Sequence, residues 1–240
     1  MLKIAINKKR IIMVLLVIGI IGLSAILISN VFLGPNIAEG NHTILILCCD
    51  PTEEREGLGG VDMAFAVSLN EGNITNITKI YPGGLYHKTQ APPADTGTAK
   101  WMLHDTLWYA DQEYGLTSAR DLIQSYYPDI HADGVIAVSV TSIDEIIKVI
   151  GPISAGGYTF TGENGQTLSL LREAQHGGSS RGDAIEDLGF AMLKEITKTD
   201  KLAQVTQVAL SEYNKGNIWI YPSNLLNSLL AAKGFSMATS

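Results

Sequence analysis

The sequence predicts an α/β fold, one layered domain of interspersed strands and helices, standing behind a single N-terminal membrane-spanning helix. Three observations carry this reading. Residues Ile11 to Ile28 form an unbroken apolar run, softened only by Gly and Ser, which Val31, Phe32 and Leu33 extend past Ser29 and Asn30. Beyond it, short β-branched runs alternate with capped, amphipathic segments, the pattern of a layered α/β domain. The 240 residues suffice for an anchor and one good-sized domain but not for two full domains.

The apolar run sets the topology. A helix rises about 1.5 Å per residue and needs roughly 20 residues to cross about 30 Å of hydrocarbon. A buried core helix and a cleaved signal peptide are the alternatives. The first is unusual at this length, and the second has an apolar region of only about 7–15 residues followed by a small-residue cleavage site, of which no convincing A-x-A is present. Lys3, Lys8, Lys9 and Arg10 precede the run, and the next basic residue is Arg55. Because basic residues stay on the cytoplasmic side, residues 1–10 read as a cytoplasmic tail, 11–33 as an uncleaved signal anchor, 34–42 as a linker and 43–240 as an extracytoplasmic domain. The expected location is the cell membrane, with a single pass and the domain outside.

The elements follow in order. Thr43–Cys49 is a short run buried on both faces, and Val61–Leu69 and Ile74–Tyr81 read as an antiparallel hairpin turning through Asn70-Glu71-Gly72-Asn73. A Pro/Ala/Thr/Gly loop over 90–98 leads to a helix at Ala99–Tyr109. Ser118 is a candidate N-cap for a helix reaching Tyr126 before Pro128. Gly134–Val140 is a buried strand, after which Ser142 and Glu145 form a capping-box pattern for a helix over Ile143–Ile150. A turn-rich stretch spans Gly156–Gly165. Helices are then expected at Thr167–Arg172, Ala184–Thr197, Leu202–Tyr213 and Ser223–Ala232, with a short strand at Asn217–Tyr221.

Charge excludes some partners. Four of the 17 basic residues precede the anchor, which leaves 13 against all 24 acidic residues outside, a net −11. That is no nucleic-acid surface, which needs a basic patch, and it disfavours non-specific adhesion to anionic lipid heads. An anionic ligand must be held by a few local Arg or Lys residues. Cys48 and Cys49, the only cysteines, are neighbours on a strand, point to opposite faces and read as small strand residues. The sequons at Asn41, Asn73 and Asn76 fall on the outer side, where glycosylation is permitted.

No G-x-S-x-G elbow, Walker A, H-E-x-x-H or Cys–His metal spacing is present. The five histidines are scattered singly, and Arg181-Gly182-Asp183 is too short a match to signify adhesion. What remains is charge at element ends. Asp50 directly follows the first strand and Asp62 begins the second; converging there, they could hold Mg²⁺ with substrate phosphate oxygens, or be ordinary turn carboxylates. The basic candidates are Lys100, Arg120, Arg172 and Arg181. Arg172 and Arg181, the latter after a Gly/Ser-rich loop, could clasp an anion through their guanidinium forks, or be surface arginines paired with Glu173 or Asp183.

The succession of these features resembles the LytR-CpsA-Psr family of cell-envelope proteins. Leu47-Cys48-Cys49-Asp50 stands where the family's first strand ends in Gly-Val-Asp. Gly60-Val61-Asp62-Met63 with AFAVSLNEGN stands at its Arg-x-Asp-Thr strand, and Lys100 in AKWMLHDTLWYAD at the Lys opening the next helix. GLTSARDLIQSYY and DGVIAVSVTSIDEIIKVIGPI resemble its helix–strand–helix, and LSLLREAQHGGSSRGDAIEDLGFAML its Arg-rich segment before a long helix. The likeness spans about residues 43–230 as a weak pattern. It departs at Pro82-Gly83-Gly84, where the family has Pro-Arg-Asp, and lacks the second Arg and the Gln-rich start of the last helix. In this it is closer to a divergent branch catalogued as domain of unknown function 4012.

The resemblance implies a layered α-β-α mixed sheet, and binding and transfer of a glycopolymer from a polyprenyl-pyrophosphate carrier at the membrane lipid bilayer. Carried over, Asp50 and Asp62 would sit near Mg²⁺, and Asp62, Arg172 and Arg181 would form the reacting centre, with the arginines gripping phosphates. Lys100 and Arg120 are the further candidates for holding the phosphate group. A non-catalytic binding or scaffold module and a pilin-like surface filament are the rival expectations; the filament lacks its usual processing signal.

Overall fold

A computed structural model describes residues 40–52, 56–71, 73–94, 97–108, 111–163, 165–176, 181–198 and 201–225. The tail, the anchor at 11–33 and most of the linker lie outside the described residues, as does the last expected helix beyond 225. Among the described residues no helix is long and apolar enough to cross a membrane.

The centre is a five-stranded mixed sheet of order β3-β2-β1-β4-β7. β1 (Asn41–Asp50) is its axis, antiparallel to β2 (Gly60–Asn70) and parallel to β4 (Gly134–Ser139). The expected hairpin forms between β2 and β3 (Asn73–Ile80), and β7 (Ile218–Tyr221) closes the other edge antiparallel to β4. Alternation along β1 divides two cores. Ile44 and Ile46, with half-buried Cys48 against them, face one side, and Leu45, Leu47 and Cys49 face the other. The strand can be buried on both faces because helices cover both.

On the Leu45 side lie α1 (Gln112–Tyr126) and a short 3₁₀ turn, Leu103–Asp105. On the Ile44 side lie α2 (Val140–Ile150), α3 (Gln166–His176), α4 (Arg181–Lys198) and α5 (Leu202–Asn214). The architecture is thus α-β-α around a mixed sheet.

Several local expectations are corrected. The helix expected at 99–109 is only the 3₁₀ turn. Backbone bonds from the His87 N–H to the Trp101 carbonyl and from the Leu103 N–H to the Leu85 carbonyl draw 101–103 into a bridge with 85–87. α1 begins six residues before Ser118, because the Asp111 carboxylate accepts from the Tyr114 N–H at 3.0 Å; Ser118 is buried within the helix. Its Gly115 admits a close approach, since a Cβ there would stand 2.8 Å from the Thr106 carbonyl oxygen. Ser139, not Ser142, caps α2 through the Thr141 N–H, and Ser142 instead donates to the Asn217 carbonyl at 3.1 Å. The stretch expected as turns from Gly156 holds a strand, β6 (Tyr158–Phe160), which pairs across Gly156-Gly157 with β5 (Ile153–Ala155) just before it.

α3 runs past Arg172 to His176, and its start is capped from another element. The buried Asp144 carboxylate of α2 accepts from the Gly165 N–H at 2.9 Å and the Thr167 N–H at 3.2 Å. At the far edge, Lys79 of β3 pairs with Asp183 at 2.7 Å and with Glu186, tying the first turns of α4 to the sheet. The Arg-Gly-Asp triplet therefore opens a helix.

Candidate functional site

Asp50 is the last residue of β1, and the chain turns immediately after it. Its residue is only 4% exposed, so its carboxylate needs partners to stay charged. Thr52 supplies two, donating from its backbone N–H at 2.9 Å and its hydroxyl at 2.7 Å to Asp50 Oδ1. Arg172 of α3 supplies the third, donating from Nη2 at 2.6 Å to Asp50 Oδ2 and at 2.9 Å to Thr52 Oγ1. Burial is the largest influence on this carboxyl and pushes its pKa up; the two Thr52 bonds and the Arg172 charge together outweigh it and hold the pKa below the usual carboxylate range. The Arg172 side chain is 45% exposed, so one face of the guanidinium region is open to a ligand.

Asp62 reaches the same place by a different device. Continued backwards from Met63, simple alternation along β2 would put Asp62 on the Leu45 side with Ala64 and Ala66. The register between Cys48↔Met63 and Cys49↔Val61 skips Asp62, a β-bulge that turns its side chain to the Ile44 side. Asp50 and Asp62 become diagonal cross-strand neighbours, positions about 7–8 Å apart. The same carboxylate acts on the Cys48 thiol, which burial first and Asp62 second push up to about 12. Both thiols are free, and burial raises that of Cys49 as well.

Asp50, Asp62 and Arg172 form the polar end of a cleft of about 590 Å³, counting the space open to solvent. Its floor is Cys48 and Val138 of the sheet with Val140 and Ile143 of α2. Its walls are Leu168 and Leu171 of α3 and a stripe on α4, Ile185, Leu188, Gly189 and Met192. The α4 stripe follows helical spacing, so one face of that helix is apolar over two turns. Thr167 also lines the cleft; it is fully buried, and its hydroxyl has no hydrogen-bond partner among the described residues.

The sequence-derived candidates thus separate. Asp50, Asp62 and Arg172 meet in the cleft. Arg181 opens α4, whose later turns line it; its side chain lies outside the described residues. Lys100 and Arg120 belong to the other side of the sheet. Lys100 lies over the Tyr86 ring at 4.2 Å, and Arg120 pairs with Asp121 while lying over the Tyr221 ring at 5.5 Å. Thr52 and Thr167 were invisible as site residues. A Pro-Thr after the strand-end Asp is the one signal that could have pointed to Thr52.

The donor set fits a Mg²⁺ shared with a ligand's phosphates and not one held by protein alone. Among the described residues no group of three or more His, Cys, Asp or Glu converges. Three donors already occupy Asp50, which leaves Asp62 and what remains of Asp50, and Mg²⁺ takes one or two carboxylates plus phosphate oxygens.

Fold and cleft together define a layered α-β-α domain with an apolar groove ending in two carboxylates and an arginine. The chain belongs to the family described as "Protein of unknown function (DUF4012)", which matches residues 39–175. Protein gbs0355 from Streptococcus agalactiae shares the fold, with a TM-score of 0.53 at 18% identity over 81% of this chain and 73% of that one. Lin1025 from Listeria innocua matches at 0.49 and 10% identity over 82% and 78%. B. subtilis TagV matches at 0.48 and 13% over 82% and 83%. No curated protein matches the sequence.

Proposed function

We propose that this protein is a membrane-anchored, extracytoplasmic cell-envelope protein that binds a polyprenyl-pyrophosphate-linked glycan. The observation that carries the reading is the cleft's polarity, an apolar groove ending at a half-exposed arginine. Such a groove suits a ligand with a long hydrocarbon tail and an anionic head. In this reading the tail lies along the α4 stripe and Arg172 meets a phosphate. Asp50 and Thr52 hold the guanidinium in place, so little side-chain freedom is lost when the phosphate arrives. Mg²⁺, when bound through Asp62 and the phosphate oxygens, would neutralise charge that developed there. The anchor at 11–33 would keep the domain within reach of a lipid-linked ligand.

Transfer is the finer reading. An acceptor hydroxyl attacks the phosphorus nearer the sugar, the new O–P bond forms with loss of the hydroxyl proton, and the bond to polyprenyl phosphate breaks. Catalysis would rest on positioning and charge stabilisation. A non-catalytic binding module is favoured instead by Pro82-Gly83-Gly84, where no side chain replaces the Arg and Asp of the related pattern.

The test is the affinity of the full chain for polyprenyl pyrophosphate in detergent, with Arg172→Ala and Arg181→Ala combined. A charge-assisted bond contributes about 1.5–3 kcal/mol, so a loss of tenfold or more is expected. Wild-type affinity in the double variant would end the phosphate-site reading.

A further inference from the structure

On the side of the sheet away from the cleft, Lys88 and Lys100 flank a short β-bridge. Tyr86 and Met102 form an antiparallel bridge, flanked by the backbone bonds of His87 to Trp101 and Leu103 to Leu85. Lys88 lies two residues after Tyr86, and Lys100 two residues before Met102. Antiparallel register therefore brings both to the same end of the bridge. Lys100 Nζ is held 4.2 Å over the Tyr86 ring and Lys88 Nζ 4.4 Å over the Tyr126 ring. Tyr126 is tied to the backbone of Tyr86, because its hydroxyl donates to the Tyr86 carbonyl at 3.1 Å.

This pairing goes against the composition. The part beyond the anchor is net −11, yet neither lysine has a carboxylate partner among the described residues, and both are exposed. Neighbouring like charges across a bridge are unfavourable, and neutralising them with the abundant acids would be simple. Instead each ammonium rests on an aromatic face, which steadies the charge without consuming its N–H donors. Two steadied cations with free donors form a receptor for a compact, multiply acceptor-bearing anion.

We infer that Lys88 and Lys100, cradled by Tyr126 and Tyr86, bind a phosphate group, at a site separate from the cleft and able to be filled at the same time. Both a phosphate-linked polymer and a phospholipid headgroup offer that chemistry. The site stands on its own residues and does not need the cleft reading to hold.

The experiment uses the full chain with Arg172→Gln and Arg181→Gln, so that both arginines of the cleft reading are removed, reconstituted in phosphatidylcholine nanodiscs. One arm titrates a soluble glycerol-phosphate oligomer and reads its Kd. The other adds phosphatidylglycerol vesicles and reads co-flotation of the nanodiscs. Lys88→Gln with Lys100→Gln is expected to weaken binding at least fivefold in one arm, and tripling the salt to weaken the parent likewise. Loss in the first arm assigns a polymer phosphate, and loss in the second alone a lipid headgroup. No binding by the parent in either arm, or equal binding by parent and double variant in both, overturns the site. A circular-dichroism melt matching the parent shows that the double variant is folded. If the site holds while polyprenyl pyrophosphate fails to bind the wild type, only the cleft reading falls.

Discussion

Asp50 ties a strand end, a turn and a helix together through one carboxylate, and its ionisation is therefore linked to folding. Its folded pKa lies below the unfolded value of about 3.9. The stabilisation it confers is accordingly complete above that unfolded value and is lost as pH falls through the lowered folded one. Because the Arg172 side chain is 45% exposed, solvent screens part of the attraction and the effect is modest. Denaturant melts of wild type and Asp50→Asn between pH 5 and pH 2 should show the wild type losing stability more steeply on acidification. Parallel curves would show that this carboxylate is not linked to folding. Thr167 makes the opposite case. Its buried hydroxyl has no partner among the described residues, and leaving such a group unmet costs about 1–3 kcal/mol. Valine has nearly the same shape, so Thr167→Val should raise the unfolding free energy by about 1 kcal/mol in a urea titration; a decrease would mean that the hydroxyl has a partner after all.

At the scale of elements, the site depends on two irregularities of strands. The Asp62 bulge turns a carboxylate from one face of the sheet to the other, and the Gly59 turn lets the backbone double back on Asp50. Gly59 has φ of +112°, and a Cβ on it would stand 2.0 Å from the Asp50 carbonyl oxygen. Gly59→Ala should therefore destabilise the fold by about 1–3 kcal/mol and weaken ligand affinity as well, read by thermal melts and by Kd. An unchanged melt would show that the turn tolerates a side chain. These irregularities also explain what sequence could and could not disclose. β1, the β2–β3 hairpin, α4 and α5 were legible because their apolar periods are clean and long. The bulge was not, since a single inserted residue leaves no mark on a period-two pattern. The helix expected near Ala99 failed for a related reason: its apolar residues Trp101, Leu103 and Leu107 serve a bridge and a 3₁₀ turn, a tertiary choice that local propensity does not encode. The α3 start was legible to within one residue, although its cap comes from Asp144, 23 residues before Thr167; its run past Arg172 to His176 was not.

At the scale of the whole molecule, the α-β-α architecture was legible from the alternation of elements, whereas the cleft was not. Four candidate cations were named from sequence, but the sheet divides them: Arg172 borders the cleft, and Lys100 and Arg120 fall on the opposite side. Only the order of strands in the sheet makes that division, and strand order has no local signature. The apolar groove that results has a single described cation, Arg172, at its polar end.

The central claim is that this groove holds a prenyl chain while Arg172 holds its phosphates. Affinity should then depend on tail length. The most direct measurement is the Kd of the full chain for inorganic pyrophosphate and for a series of prenyl pyrophosphates of one to six isoprene units. Each buried methylene contributes about 0.8 kcal/mol, so Kd should fall more than tenfold per unit until the groove is full, then level off. A Kd that is the same for pyrophosphate alone and for the longest chain would contradict the account.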